Sequence, residues 1–559
     1  MSDAEPEVAP RKWPKLKICL GLLLFFIAWF LYQLFGPNPQ ITVSKETTYI
    51  TEPLGLDGLP DFPAYLLERD SKGVTPENNA AVLIWQATWP GDLDPQDQTL
   101  LAEALGMESV PSEEDSLVEV DSDSVLEKVG AELTKHFSAD LADEETGPSL
   151  STQWQEWLRD DLAKEAIYEA RTRPWTPEQM PALAEWVVAN QKPLDMLVEA
   201  AARPEYFSPS PSFLGDKDDS LVEMALPHAE GMRSVVRALL TRGMWHIGAG
   251  RTSEAWTDIH TCLRLSRHVS KEKFLVNQLV SHAIDKVAFQ STQSLLQHKD
   301  LNNDLAENIL ADLLQLPSVS AAEVVDQGER LVHIDNILRM AQGKYGEKEK
   351  KDLFGKASTA IIKTGLDWNH FLREGNKWHD RLVKSMRMPK FDERRKQLAE
   401  IDSEITQLDS PATSLWSALG FMVSRKSRTQ AISNVFIDLL LSTMKMLQVA
   451  ADRTITQRHL TQLAVALALH RLQHGNHPES LEELVPAILP KLPLELYTEK
   501  PFVYQRKDDG GSDMTGKIVN GEWTDETPEE RDHDSSDLVI RVPQPEFKLP
   551  ELPLDELVP

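Results

Sequence analysis

The first long run of apolar positions lies near the N-terminus, where Gln33 is the one clearly polar side chain between Ile18 and Phe35. At a rise of about 1.5 Å per residue, this run and a flanking turn reach the roughly 30 Å of a bilayer's hydrocarbon. The pattern predicts a transmembrane helix from Leu16 to Phe35. The chain from Pro37 to Pro63 is rich in Pro, Thr and Gly without a helical period, which predicts a partly extended stalk across residues 37–75.

Apolar positions at helical spacing follow in many segments. Three start signals place Pro after a capping side chain: Thr75-Pro76 leading into Ala80 to Trp85, Asp94-Pro95 leading to a Gly106 stop, and Thr176-Pro177 leading into Leu183, Trp186 and Val187. The acidic stretch from Pro111 to Asp123 and the Pro, Ser and Gly cluster from Pro204 to Gly215 read as loops. Pro227 to Ser270 has the pattern of one helical hairpin of the tetratricopeptide kind, with Gly243, Trp245, Trp256 and Cys262 on its arms and a turn at Gly248 to Arg251. One copy is visible, so an ordinary hairpin is expected rather than a solenoid.

Further helices are expected over Lys273–His298, Asp304–Leu314, Ala321–Gln342, Asp367–Met386 and Asp392–Leu408, with an additional segment before Asp367. Two apolar stripes, Ile432 to Leu447 and Leu460 to Leu472, come next; Asp438 and Lys445 interrupt the first, which favours a packed helix over a second membrane span. Beyond Gly475 the elements shorten to a turn at Ser480 to Leu484 and strands at Phe502 to Arg506 and Leu538 to Val542.

The expected fold is therefore mainly α, with an N-terminal transmembrane helix, a multi-helix extracytoplasmic body and a small C-terminal α+β module. The divisions are a tail at 1–15, an anchor at 16–36, the stalk at 37–75, the body at 76–475, the module at 476–542 and a Pro-rich, disordered tail at 543–559.

Charge adds orientation and an exclusion. Arg11, Lys12, Lys15 and Lys17 crowd the N-terminal side of the apolar run, whereas Lys45 is the first basic residue after it. Positive residues stay inside, so the tail is expected in the cytoplasm and the bulk of the chain outside. No small-residue cleavage pattern follows the run, which favours a signal anchor over a removed leader. Of 559 residues, 58 are Lys or Arg and 88 are Asp or Glu, a formal net charge of -30 that argues against nucleic acid as a partner. The two cysteines, Cys19 in the apolar run and Cys262 far along the chain, form neither a disulfide framework nor a zinc site.

Most chemical motifs fail on spacing. Lys363-Thr364-Gly365 and Ser442 to Lys445 stand in the reverse of the order that penicillin-binding enzymes use. Gly355-Lys356 lacks the first glycine and the final Ser or Thr of a phosphate loop. Asp121, Asp123 and Glu132 lack the intervening ligands and glycine of a calcium loop. Two candidates remain. His470, His474 and His477 offer imidazoles for a metal, although His474-Gly475 also reads as a helix C-terminus. His333, His379 and Asp380 have the residue types with which helical phosphohydrolases hold a divalent ion. No cofactor is expected.

The segments NNAAVLIWQ (Asn78 to Gln86), Gly328 to Arg330, DWNHFLREGNKWHDRLV (Asp367 to Val383), Gln462 to Pro486 and DLVIRVP (Asp537 to Pro543) resemble a group of uncharacterised membrane-anchored proteins of planctomycete-type bacteria. That resemblance implies a cell-envelope location and brings no activity; together with the anchor and its charge asymmetry, the expected location is the bacterial inner membrane with the bulk of the chain periplasmic. The stretch from Leu467 to Gln505 is also similar to the C-terminal part of type II secretion pseudopilins; a metal role carried over from them would fall on Asp508, Asp509 and Asp513. The leading expectation is an envelope protein that binds or scaffolds a protein partner. The alternative is a metal-dependent hydrolase using His333, His379 and Asp380.

Overall fold

The computed structural model describes residues 13–90, 93–112, 115–142, 161–215, 220–344, 365–408, 424–506, 512–516 and 538–541. The chain is mainly helical. The elements that matter below are α1 (Trp13–Phe35), α2 (Phe62–Asp70), α3 (Ala80–Ala87), α4 (Pro181–Ala189), α5 (Gln191–Ala202), α6 (Leu221–Gly248), α7 (Thr252–Val269), α8 (Leu275–Leu296), α9 (Arg330–Gln342), α10 (Trp368–Met386) and α11 (Arg425–His474), with strands β1 (Val503–Arg506), β2 (Ser512–Gly516) and β3 (Leu538–Arg541).

Two compact units are built from discontinuous stretches of chain. The first takes Met1–Phe62, Arg330–Ser385 and Arg395–Met444. In it most of the apolar side chains from Ile18 to Phe35 stand exposed along α1. The C-terminal end of α1 carries carbonyls without helical partners. Arg425 Nη2 donates to Tyr32 O at 3.3 Å and Gly36 O at 3.0 Å, its Nη1 donates to Pro37 O at 3.0 Å, and Arg428 donates to Gln33 O and, at 3.0 Å, to Gly365 O. Two cations thus cap the negative pole of the helix.

The expected stalk is not free chain. Asn369 on α10 accepts from Thr42 N at 2.8 Å and donates to Gln40 O at 2.7 Å, while Asn376 donates to Thr47 O at 2.7 Å and Glu46 O at 3.1 Å. Residues 62–70 of the same region form α2. The bonding partners lie more than three hundred residues downstream, out of reach of any local pattern.

The second unit takes Pro63–Glu329, Met386–Arg394 and Lys445–Pro559. Its centre is α6, α7 and α8 packed on one another, with α5 against α7 and α3 against α5. Ala238, Leu239, Met244, Ala255, Ile259, Cys262, Leu263 and Ala288 form the buried seam. Small residues allow close packing here: a Cβ on Gly243 would sit 3.4 Å from that of Asp258, and one on Gly248 would collide with the backbone of Trp175.

Two helices are long and apolar enough to cross a membrane by length and composition, α1 and the 50-residue α11. They differ in burial. None of the apolar window of α1 is buried, whereas α11 buries Met444, Leu447, Leu460, Leu463 and Leu467 and carries Asp452, paired to Arg394 at 2.8 Å. Both apolar stripes of the sequence fall on this one helix, which ends with Gly475 at φ +82°.

Two of the three proposed starts are displaced. Asp94 caps its helix through Gln96 N as expected, but Thr75 to Asn78 and Thr176 to Gln179 close hydrogen-bonded turns, and the helices begin later, at Ala80 under an Asn79 cap and at Pro181. Side-chain bonds from Asn78 to Thr75 N and from Gln179 to Thr176 N hold these turns, the local competition with helix that Asn, Ser and Thr provide. The Ala321–Gln342 helix is interrupted by a π-turn at Val325–Glu329. Gly328 lies there because a Cβ would strike Lys273 O.

The chain after Gly475 belongs to the second unit and is not separate from it. Ser480 and Glu483 make a reciprocal capping box at Leu481–Leu484. β1 pairs antiparallel with β2, and β2 with β3. β2 was not expected; Asp513 lies in it opposite Gln505 and Arg541, while Asp508 and Asp509 fall outside the described residues, as does the segment expected before Asp367.

Candidate functional site

The strongest site lies where α4 and α5 meet the hairpin of α6 and α7. A groove of about 400 Å³ is lined by Val187 and Val188 from α4, Asp195 and Val198 from α5, Arg242, Trp245 and His246 from α6, and Arg251, Glu254, Thr257 and Asp258 from the turn and α7. Helical spacing explains the set: Arg242, Trp245 and His246 stand at i, i+3 and i+4 on one face, and Glu254, Thr257 and Asp258 repeat that spacing on the other arm.

Its floor is an ion network. Arg242 Nη2 and Nε donate to Asp258 at 2.6 and 3.0 Å, and Nη1 donates to Asp195 at 2.6 Å. The Asp258 side chain is 2% exposed and that of Asp195 61%, so one end of the network is sealed and the other wet. Burial pushes the Asp258 carboxyl up to about 6 against the pull of Arg242. Burial, then Arg251 and Arg242, hold His246 down at about 4, which leaves it neutral near pH 7.

The wall is aromatic and cationic. Trp245 stacks on Trp175 with ring centroids 6.3 Å apart, and the Arg251 guanidinium lies 4.6 Å from the Trp245 centroid. Arg251 Nε donates to His246 Nδ1 at 2.8 Å, which fixes that nitrogen as the acceptor. Trp245 Nε1 and Arg251 Nη2 have no hydrogen-bond partner. Two unspent donors on the wall suit a ligand that brings acceptor oxygens.

The sequence candidates sit elsewhere. His333 on α9 and His379 on α10 are brought together, their ring centroids 5.3 Å apart in the buried part of the first unit. His379 Nδ1 donates to Gly375 O at 2.9 Å, and Nε2 of each ring is unpartnered. Burial lowers both, His333 to about 4. Asp380 does not join them: its side chain is 69% exposed and pairs with Arg330 at 2.8 Å. His470 and His474 stack at 4.3 Å, but each donates Nδ1 to a carbonyl, Asn476 O at 3.0 Å and His470 O at 3.1 Å, as side chains closing a helix end do. His477 is buried with neither ring nitrogen bonded. Among the described residues no group of three or more His, Cys, Asp or Glu is gathered as metal ligands.

Sequence reasoning placed Trp245 and Arg251 on the hairpin but missed Arg242, Asp258, His246 and Asp195. The signal was present: Arg242 and Asp258 interrupt the apolar face of both arms, and a charge on a core-facing stripe demands a partner. No protein-family model, curated protein or solved structure matches the chain.

Proposed function

We propose that this chain is a single-pass protein of the bacterial inner membrane whose body lies in the periplasm and binds a protein partner through the α4–α7 groove, capturing a carboxylate of that partner. The observation that carries the binding reading is the pair of unspent donors, Trp245 Nε1 and Arg251 Nη2, at the groove. The exposed apolar run to Phe35 and the basic residues before it support the orientation.

The test uses the full-length protein in detergent over immobilised peptides ending in a free carboxylate or in an amide. Retention by the free acids alone, abolished in Arg251→Ala, supports the reading; equal retention of acids and amides sinks it. A reporter active only outside the cytoplasm, fused after Pro63, tests orientation, and silence there refutes it.

A second reading, a metal-dependent hydrolase, draws on the adjacency of His333 and His379. Stoichiometric zinc, manganese or iron, lost in His379→Ala, would replace the binding reading with this one.

A further inference from the structure

A second cavity in the same unit has the opposite chemistry. It encloses about 190 Å³ between α2, the Glu205–Ser210 segment and the Lys271–Phe274 turn that joins α7 to α8. Most of its charges are matched. Arg69 makes two bonds to Asp70, at 2.7 and 3.0 Å, and Lys271 reaches Glu205 at 2.9 Å and Pro204 O at 2.6 Å. Lys273 donates to Ser270 O at 3.0 Å.

Glu272 differs. Its Oε2 accepts from Asn277 Nδ2, but Oε1 is sealed from water without a partner. Asn277 and Gln278, the two buried amides next along the chain, repeat the pattern. Gln278 Nε2 donates to Ser270 O at 2.9 Å and Glu272 O at 3.0 Å, and Oδ1 of Asn277 and Oε1 of Gln278 are left unpaired. Of the three residues with an unpaired acceptor oxygen, Glu272 is the one that lines the cavity. Burial and the nearby Asp70 push Glu272 up to about 8, so the empty cavity holds it as the neutral acid near pH 7.

We propose that this cavity binds a small organic ammonium ion, with Glu272 as its counter-ion. An ammonium carries donors and no acceptor, so it can supply the hydrogen bond that the buried Glu272 Oε1 lacks. Binding turns a neutral acid into a carboxylate, so the ligand's positive charge is balanced by a proton leaving Glu272 to solvent. The groups around that proton are Asp70 and Arg69 from α2, Lys72 just after it, Glu205 and Tyr206 from the 205–210 segment, Lys271 and Lys273 from the turn, His268 at the end of α7, and Glu329, which accepts from Leu275 N. Burial holds His268 at about 4 and Tyr206 well above its ordinary value, and it pushes Glu329 up to about 7, so Glu272 and Glu329 are the groups that change state near pH 7, and Glu272 is the one that lines the cavity.

Calorimetry of the full-length protein with 1,4-diaminobutane tests this. Saturable binding is expected, with heats at pH 7 that differ between buffers of high and low ionisation enthalpy by the release of about one proton per site. Glu272→Gln keeps the shape of the neutral acid, so it should melt like the unaltered protein and bind about tenfold or more weakly, the loss of a charged hydrogen bond. Arg251→Ala, in the separate α4–α7 groove, should bind the diamine unchanged, which keeps this result independent of the carboxylate-binding reading. Undiminished binding in Glu272→Gln, binding without proton release, or a response to calcium but not to the diamine would each overturn the proposal.

Discussion

The Arg242–Asp258 network and the His333–His379 pair both bury titratable side chains, and they solve the problem of burial in opposite ways. The first keeps its charges and surrounds each with a partner: Arg242 spends three nitrogens on two carboxylates. The second has no charge to balance, because burial holds His333 at about 4 and lowers His379 further from its ordinary value. A buried ion pair is costly to break from one side, whereas a neutral buried ring is costly to protonate. The two clusters should therefore respond to different insults.

The largest difference is expected from Arg242→Met, which strands Asp258. Urea unfolding at pH 8 should show a loss of about 3 kcal/mol, the cost of a buried charge without its partner. The loss should shrink at pH 5, where the stranded carboxyl takes up a proton. An equal loss at both values would show that packing, not charge, is what Arg242 supplies.

Acid provides the second test. The folded value of His333 lies below the ordinary 6.5, so the unfolded chain binds its proton first, and this ring's contribution to stability is full above about 6.5 and falls as pH drops toward 4. Asp258 has the reverse sign over a similar window: its folded value is raised, so its contribution grows as pH falls through about 6. Between pH 7.5 and 4.5, His333→Gln should gain on the unaltered protein by about 2 kcal/mol, read as protection of the residue 368–386 backbone in hydrogen exchange. A pH-independent difference would mean that the ring is not held neutral.

Trp245→Phe should sharpen the contrast between folding and binding. The indole N–H has no partner, so its removal should shift stability by less than about 1 kcal/mol, while carboxylate capture falls. The smallest effect belongs to the solvent-exposed pair of Lys192 and Asp115, 2.9 Å apart, where Lys192→Ala should cost less than about 0.5 kcal/mol and lose even that in high salt.

What the sequence reveals follows the range of the interaction. Periodicity placed Leu275–Leu296, Trp368–Met386 and Phe391–Leu408 to within a few residues, because a core-facing stripe is a local signal. Gly106 and Gly475 ended their helices as expected, both at positive φ. The starts at Thr75 and Thr176 misled because the same Thr-Pro pattern serves a turn as well as a cap. The stalk was misread for a different reason: Asn369 and Asn376 hold it from far along the chain. The same holds for the groove, where Arg242 must find Asp195 across 47 positions. Of the three residues grouped by type, His333 and His379 stand side by side, whereas Asp380 faces Arg330 and solvent from its turn of α10.

The capped end of α1 bears on how far the protein can search. A free tether of the 37–75 length would let its cargo roam roughly 35 Å from the attachment point, diluting each module through a hemisphere above the bilayer. Arg425 and Arg428 remove that freedom at its origin by tying α11 and Gly365 to the last carbonyls of α1. With α1 in a bilayer, the first unit rides at a fixed height, and encounters with other membrane-bound molecules become lateral collisions in two dimensions. Local concentration is then set by diffusion in the plane and not by the length of a linker.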